Sequence, residues 1–152
     1  MKSRSTKSCI VQGLDSLVGR RNALKHSGTQ SVQSTDTKRP YVLSAKIVAE
    51  VVTRTSAGNY ALGRAQENGN GFCVLYVGRS DGDLARELHG WVGENARYKA
   101  FIFSYARDPK AAFEKECEDF HDFGETERLD NAGHPQRSPE TDWLCPRCDF
   151  YA

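Results

Sequence analysis

The sequence predicts an α+β domain: a small three-stranded sheet, mixed or antiparallel, flanked by helices, with a disordered N-terminal tail and an irregular C-terminal segment. Three observations predict it. Between residues 41 and 130 the hydrophobic period switches in the order helix, strand, strand, helix, strand, helix. The turn-forming run Asn68-Gly69-Asn70-Gly71 separates two strand-like segments, as in an antiparallel hairpin. Residues 98–106 are apolar on both faces, which suits a strand in the middle of a sheet.

Each element has its own local reason. Residues 1–40 are rich in Ser, Thr, Gln, Lys and Arg and carry little periodicity, so they read as a disordered basic tail. Residues 41–55 place Val42, Ile47, Val48, Val51 and Val52 at helical spacing, with Ser44 as a candidate N-cap. Ser56-Ala57-Gly58 breaks that pattern. Residues 59–64 and 72–79 are the hairpin strands. Asp81-Gly82-Asp83 offers an N-cap for a helix whose stripe is Leu84, Leu88, Trp91 and Val92. Asp108-Pro109 opens the last helix, with proline in its first turn, and that helix runs to about Phe123. Residues 131–152 have no clear period. The expected division is therefore a tail over 1–40, a domain over 41–130 and a C-terminal segment over 131–152.

Composition narrows the function classes. The chain has 152 residues, 27% charged and 38% hydrophobic, as expected for a soluble protein. No run is long and apolar enough for a bilayer span, and no apolar stretch follows the basic start as a secretory signal would require. Five cysteines without such a signal argue against a disulfide framework and for reduced thiols in the cytoplasm. Residues 1–40 hold eight Lys/Arg against two Asp, whereas residues 41–152 hold thirteen against eighteen Asp/Glu. A nucleic-acid partner would have to use the basic tail or a locally positive cleft.

The last helix carries an odd residue. At roughly 100° per residue, with Glu116 at zero, Ala112, Phe113, Phe120 and Phe123 all fall within roughly 60° of it. Glu116 therefore sits inside the apolar arc, while Glu114, Glu118 and Asp122 lie opposite. A carboxylate there is costly unless paired or metal-bound. One reading is a buried salt bridge to Arg79 or Arg86; the other is a metal ligand.

Cys117 and His121 share a flank beside Glu116, and Cys145-Pro-Arg-Cys148 is a CxxC knuckle. Together they form a Cys3His set suited to tetrahedral zinc, with His134 as a competing nitrogen ligand. A bound zinc would pin a C-terminus that has little core of its own. The plainer reading is a buried cysteine, a surface histidine and a redox pair.

Gly58-Asn59-Tyr60 and Tyr76-Val77-Gly78, in this order on paired strands, resemble the motifs of the GIY-YIG nucleases, with Asn59 where that family has an aliphatic residue. Arg86 and His89 follow the second motif at the family's interval, Ala112 and Glu116 match its helical glutamate motif, and Asn131 matches its closing asparagine. The resemblance spans residues 58–131. It implies a metal-dependent endonuclease acting on nucleic acid, DNA in the first instance, with Mg2+ or Mn2+. It implies Tyr60, Tyr76, Arg86 and Glu116 as catalytic groups, Glu116 holding the metal, and Gly78, Arg79, His89 and Asn131 around the substrate. The residues by themselves leave room for two other readings: ordinary sheet tyrosines and a solvated Arg86 in a non-catalytic nucleic-acid- or protein-binding module, or a zinc-stabilised structural domain. The sequence does not fix oligomeric state.

Overall fold

A computed structural model describes residues 40–65 and 71–152, with the backbone of Val11–Gln12. In chain order the elements are β1 (Val11–Gln12), β2 (Tyr41–Val42), α1 (Ala45–Val51), β3 (Gly58–Ala65), β4 (Phe72–Ser80), α2 (Leu84–Trp91), β5 (Ala100–Tyr105), α3 (Pro109–Asp122) and α4 (Glu125–Arg128). The α+β class is as expected. The expected disordered tail, apart from Val11–Gln12, lies outside the described residues, as does the turn at 66–70.

The sheet of the domain has four strands, β4-β3-β5-β2, rather than three, and the two-residue β1 adds to the outer side of β4. All its pairings are antiparallel. The extra strand is β2. Residues 41 and 42, expected as the start of a helix, instead pair with Phe101 and Ala100. The helix begins only after Ser44, whose hydroxyl caps the Ile47 amide at 3.2 Å. A two-residue strand beside a helix has too few residues to show a period of its own.

The other elements start where their caps dictate. The Asp83 carboxylate accepts from the Arg86 amide, and the Asp108 carboxylate from the Ala111 amide. The sheet then separates two apolar layers. On one face Val48, Val52, Leu84 and Leu88 of α1 and α2 and their flanks pack with Leu62 and Phe101. On the other, Phe120 and Phe123 from α3 and its end pack with Ala61, Val74, Val77 and Ile102. Each fully buried large side chain contributes about 1.5–3 kcal/mol, which offsets the cost of holding Asn59, Glu116 and Asp119 inside.

β5 is buried along Ala100 to Phe103, the two-sided burial that its composition predicts. Cys73, buried on β4, is disulfide-bonded, which corrects the expectation of uniformly reduced thiols. Among the described residues no helix is long and apolar enough to cross a membrane.

Candidate functional site

A bulge in β4 sets the site's geometry. Leu62 pairs with Tyr76, but Gly63 pairs with Val74, so Leu75 is an extra residue on β4. Phe72 and Val74 face α3, and an unbroken alternation would send Tyr76 the same way. The extra residue turns Tyr76 onto the face that carries Tyr60. Gly63 permits the bulge, because a Cβ there would lie 1.8 Å from the Cys73 carbonyl oxygen.

The two tyrosine rings then stack at 6.4 Å between centroids. Beyond the bulge, Arg79 faces α3. Tyr60, Tyr76, Gly78, Arg79, Ser80, Asp81, Glu87, Glu116 and Gln136 line one open cleft of about 340 Å³. Gly78 is the saddle between its two sides. The Tyr60 hydroxyl lies where a Gly78 Cβ would be, 2.4 Å from that position, so only glycine admits it.

Tyr60 is buried and its hydroxyl is held from two directions. It donates to Glu87 Oε1 at 3.1 Å and accepts from Trp91 Nε1 at 2.8 Å. Burial, then the Glu87 charge, pushes the phenol well above its ordinary value. Burial and the charges of Glu116 and Glu87 push Tyr76 up as well. Neither tyrosine stands as a phenolate at neutral pH in this arrangement.

Glu116 occupies the core-facing position that the helical winding gave it. Its Oε2 is ion-paired with Arg79 Nη1. Burial outweighs the pull of Arg79 and raises the carboxyl to about 7. Arg79 is fixed on every side: Nε to Asp81 Oδ1 at 2.9 Å, Nη2 to the Gln136 carbonyl at 2.8 Å, and its plane over the Phe113 ring at 5.2 Å. Burial works against its charge, but Glu116 and Asp81 prevail and raise its pKa. Thus the salt bridge weighed from the sequence is formed, to Arg79 and not to Arg86.

The remaining expected residues lie apart from that cluster. Arg86 is exposed on α2 and lines a neighbouring hollow that shares Ser80 and Glu87 with the cleft. His89 is exposed on the same helix and lines neither hollow. Asn131 engages the backbone of Val77 with both of its amide atoms, at 3.1 Å and 2.8 Å. With the Asp130 amide on the Leu75 carbonyl at 2.7 Å, it covers the open edge of β4 as a strand would.

Four polar residues were not proposed from the sequence for the site or the core. Glu87 reaches the cleft through Tyr60, a contact that no local spacing shows, and Asp81 through Arg79, two residues before it, and the distant Ser138. Asn59 is buried and donates to the Ala112 carbonyl at 2.7 Å, while its Oδ1 has no hydrogen-bond partner among the described residues. Asp119 is buried on α3 and paired with Lys115 at 2.9 Å. Its position, three residues past Glu116 on the edge of the apolar arc, is the signal that was available.

A second cluster lies beyond the end of α3. His121, His134, Cys145 and Cys148 bring their ligand atoms within 4.8 Å of one another, and the set can hold a metal ion such as zinc. Cys145 Sγ lies 3.5 Å from His121 Nε2, and Cys148 Sγ lies 3.4 Å from His134 Nε2. A tetrahedral zinc with its usual bond lengths has sulfur–nitrogen edges of about 3.5 Å.

The rings are oriented from behind. His121 Nδ1 faces Glu125 Oε1 at 3.4 Å, and His134 Nδ1 meets the Pro135 carbonyl at 2.8 Å. The Arg147 amide donates to Cys145 Sγ at 3.4 Å within the knuckle. The expected Cys3His set is therefore corrected to Cys2His2. Cys117 is fully buried with Phe113 against Cys145, and His134 takes its place. Helical spacing put Cys117 near the cluster, but its side chain is part of the core behind it.

The segment between His134 and Cys148 also builds the cleft. It supplies the Gln136 carbonyl to Arg79, and the Ser138 hydroxyl donates to Asp81 Oδ2 at 2.7 Å. Trp143 and Tyr151 pack at a tilt against Phe113, the ring beneath Arg79. Compared with family models, curated proteins and solved structures, the chain finds no match.

Proposed function

We propose that the protein is a metal-dependent endonuclease that hydrolyses nucleic-acid phosphodiesters in the cleft between β4, α2 and α3. The observation that supports this reading is the meeting of Tyr60, Tyr76, Arg79 and Glu116 at one saddle over Gly78. These groups come from three elements, β3, β4 and α3, and from both faces of the sheet. The bulge turns Tyr76 toward Tyr60, where it also packs against Trp91 and Tyr98.

The cleft carries Asp81, Glu87 and Glu116 against Arg79, a formal excess of carboxylate. That balance repels a bare phosphate and favours a hard cation with oxygen ligands, for which one carboxylate plus water and phosphate oxygens suffice. Mg2+ or Mn2+ at Glu116, when bound, would supply the charge that neutralises a phosphoryl group. Arg79 holds the Glu116 carboxylate in place while Asp81 pairs with its other edge. Arg86, free of the apolar stripe, is positioned to reach a phosphate entering from the α2 side. Tyr60 orients a water through its second lone pair. The cleft itself has little net positive field, so long-range affinity for nucleic acid falls to residues 1–40.

The test is incubation of the zinc-loaded protein with a panel of duplex, branched and single-stranded DNA and RNA, with Mg2+ or with a chelator selective for it. Metal-dependent strand scission that is lost in Arg86→Ala supports the reading. Binding without scission on every substrate would favour the binding-module alternative, which the polar Cys2His2 segment flanking the cleft makes the second choice.

A further inference from the structure

We propose that Glu87 is the terminal proton acceptor of this site, with Tyr60 passing a proton to it rather than holding one as a phenolate. The inference rests on the hydrolytic reading above and adds to it the identity of the base.

The Tyr60 hydroxyl has one proton and two lone pairs. The proton is directed at Glu87 Oε1 at 3.1 Å, and one lone pair receives the Trp91 indole N–H at 2.8 Å. The second lone pair is left for the cleft that Tyr60 lines. Burial and nearby carboxylates make prior ionisation of this phenol unfavourable. A group so placed cannot store a negative charge, but it can exchange protons. Glu87 has the complementary character: it is exposed at the rim, lines both the cleft and the adjoining hollow, and can release a proton to bulk water.

The transfer balances. As the water oxygen bonds to phosphorus, one of its O–H bonds breaks and that proton moves to Tyr60 Oη. The original Tyr60 proton moves to Glu87 Oε1, so the phenol stays neutral throughout. The leaving ester oxygen departs with the bonding pair and takes a proton from solvent. Glu87 then returns its proton to solvent. Trp91 keeps the phenol oxygen in register during the exchange, and Gly78 leaves room for the hydroxyl itself.

Glu87→Gln and Glu87→Asp, each compared with wild type by single-turnover cleavage across pH, test this. A general base contributes about 10²–10⁴-fold, so Glu87→Gln should lose a rate in that range. The fold should persist, since the glutamine carbonyl can still accept from the Tyr60 hydroxyl. The rate lost in Glu87→Gln should return, in part, in Glu87→Asp, which keeps an acceptor carboxylate. An unchanged rate and profile in Glu87→Gln, with cleavage still lost in Glu116→Gln, overturns the relay and leaves the nuclease reading intact. No cleavage by wild type on any substrate overturns both.

Discussion

Arg79 Nη2 donates to the main-chain carbonyl of Gln136 across 2.8 Å, joining the cation of the cleft to the segment that carries the Cys/His cluster. Gln136 lies between the His134 and Cys145 ligands, so the order of the metal centre and the order of Arg79 are linked. Metal removal is therefore expected to free Arg79 from one of its three polar partners and to release Ser138 from Asp81. In the metal-loaded protein the Arg79 Nε–H resonance should be sharp and slow to exchange with solvent. Chelation should broaden it or speed its exchange while the β3–β5 amides stay protected. Identical behaviour before and after chelation would show that the two sites are independent.

The metal centre itself predicts about one zinc per chain. His134→Ala, or Cys145→Ser together with Cys148→Ser, should abolish binding. Cys117→Ser should retain it, because Cys117 packs behind the cluster and outside the ligand set. Metal analysis of purified variants distinguishes these outcomes. Zinc lost from Cys117→Ser and kept in His134→Ala would restore the Cys3His assignment.

The reach of the sequence is clearest at these residues. Glu116 is readable because a charged residue at a core-facing helical position violates an otherwise regular period. The caps Ser44, Asp83 and Asp108 are readable because N-capping is a local interaction. The bulge at Leu75 is not readable, since residues 72–77 are apolar on both faces and a reversal of facing leaves no mark on the pattern. His134 and Glu87 enter their sites across 14 and 27 residues, through the contacts with Cys148 and Tyr60. Such approaches depend on how helices and loops settle on the sheet. Helical spacing favoured Cys117 for the same reason: it reports angular proximity, but not whether a side chain points into a core or out of it.

Glu116 should leave a signature in the pH dependence of stability. Its folded-state pKa, about 7, lies above the 4.5 of the unconstrained group. The folded state therefore binds the proton more tightly, and the associated stabilisation is complete below pH 4.5 and is lost as pH rises through 7. Glu116→Gln should remove that slope. Asp119, raised to about 6 by burial, acts in the same direction, so a smaller slope should persist. Denaturant melts at half-unit steps of pH measure it. A slope unchanged by Glu116→Gln would mean that the carboxyl is ionised throughout.

Asn131 is expected to act on β4 rather than on substrate. Asn131→Ala removes two hydrogen bonds to Val77 and leaves its backbone groups to find water, a loss of about 1–3 kcal/mol. Urea unfolding should shift accordingly, and amide exchange should rise at Val77 before it rises on β5. Wild-type stability combined with weaker nucleic-acid binding would instead assign Asn131 to the ligand.

The most direct test of the proposed chemistry is the rate at which zinc-loaded wild-type protein and Glu116→Gln nick a cleavable nucleic acid at saturating Mg2+ and pH 8. The variant keeps the shape of the side chain and a hydrogen-bonding partner for Arg79, but loses the charge. The account predicts metal-dependent nicking by wild type and a loss of at least about 10²-fold in the variant, in keeping with the removal of one electrostatic group from a hydrolytic site. Equal rates, or no nicking by either protein, would contradict it.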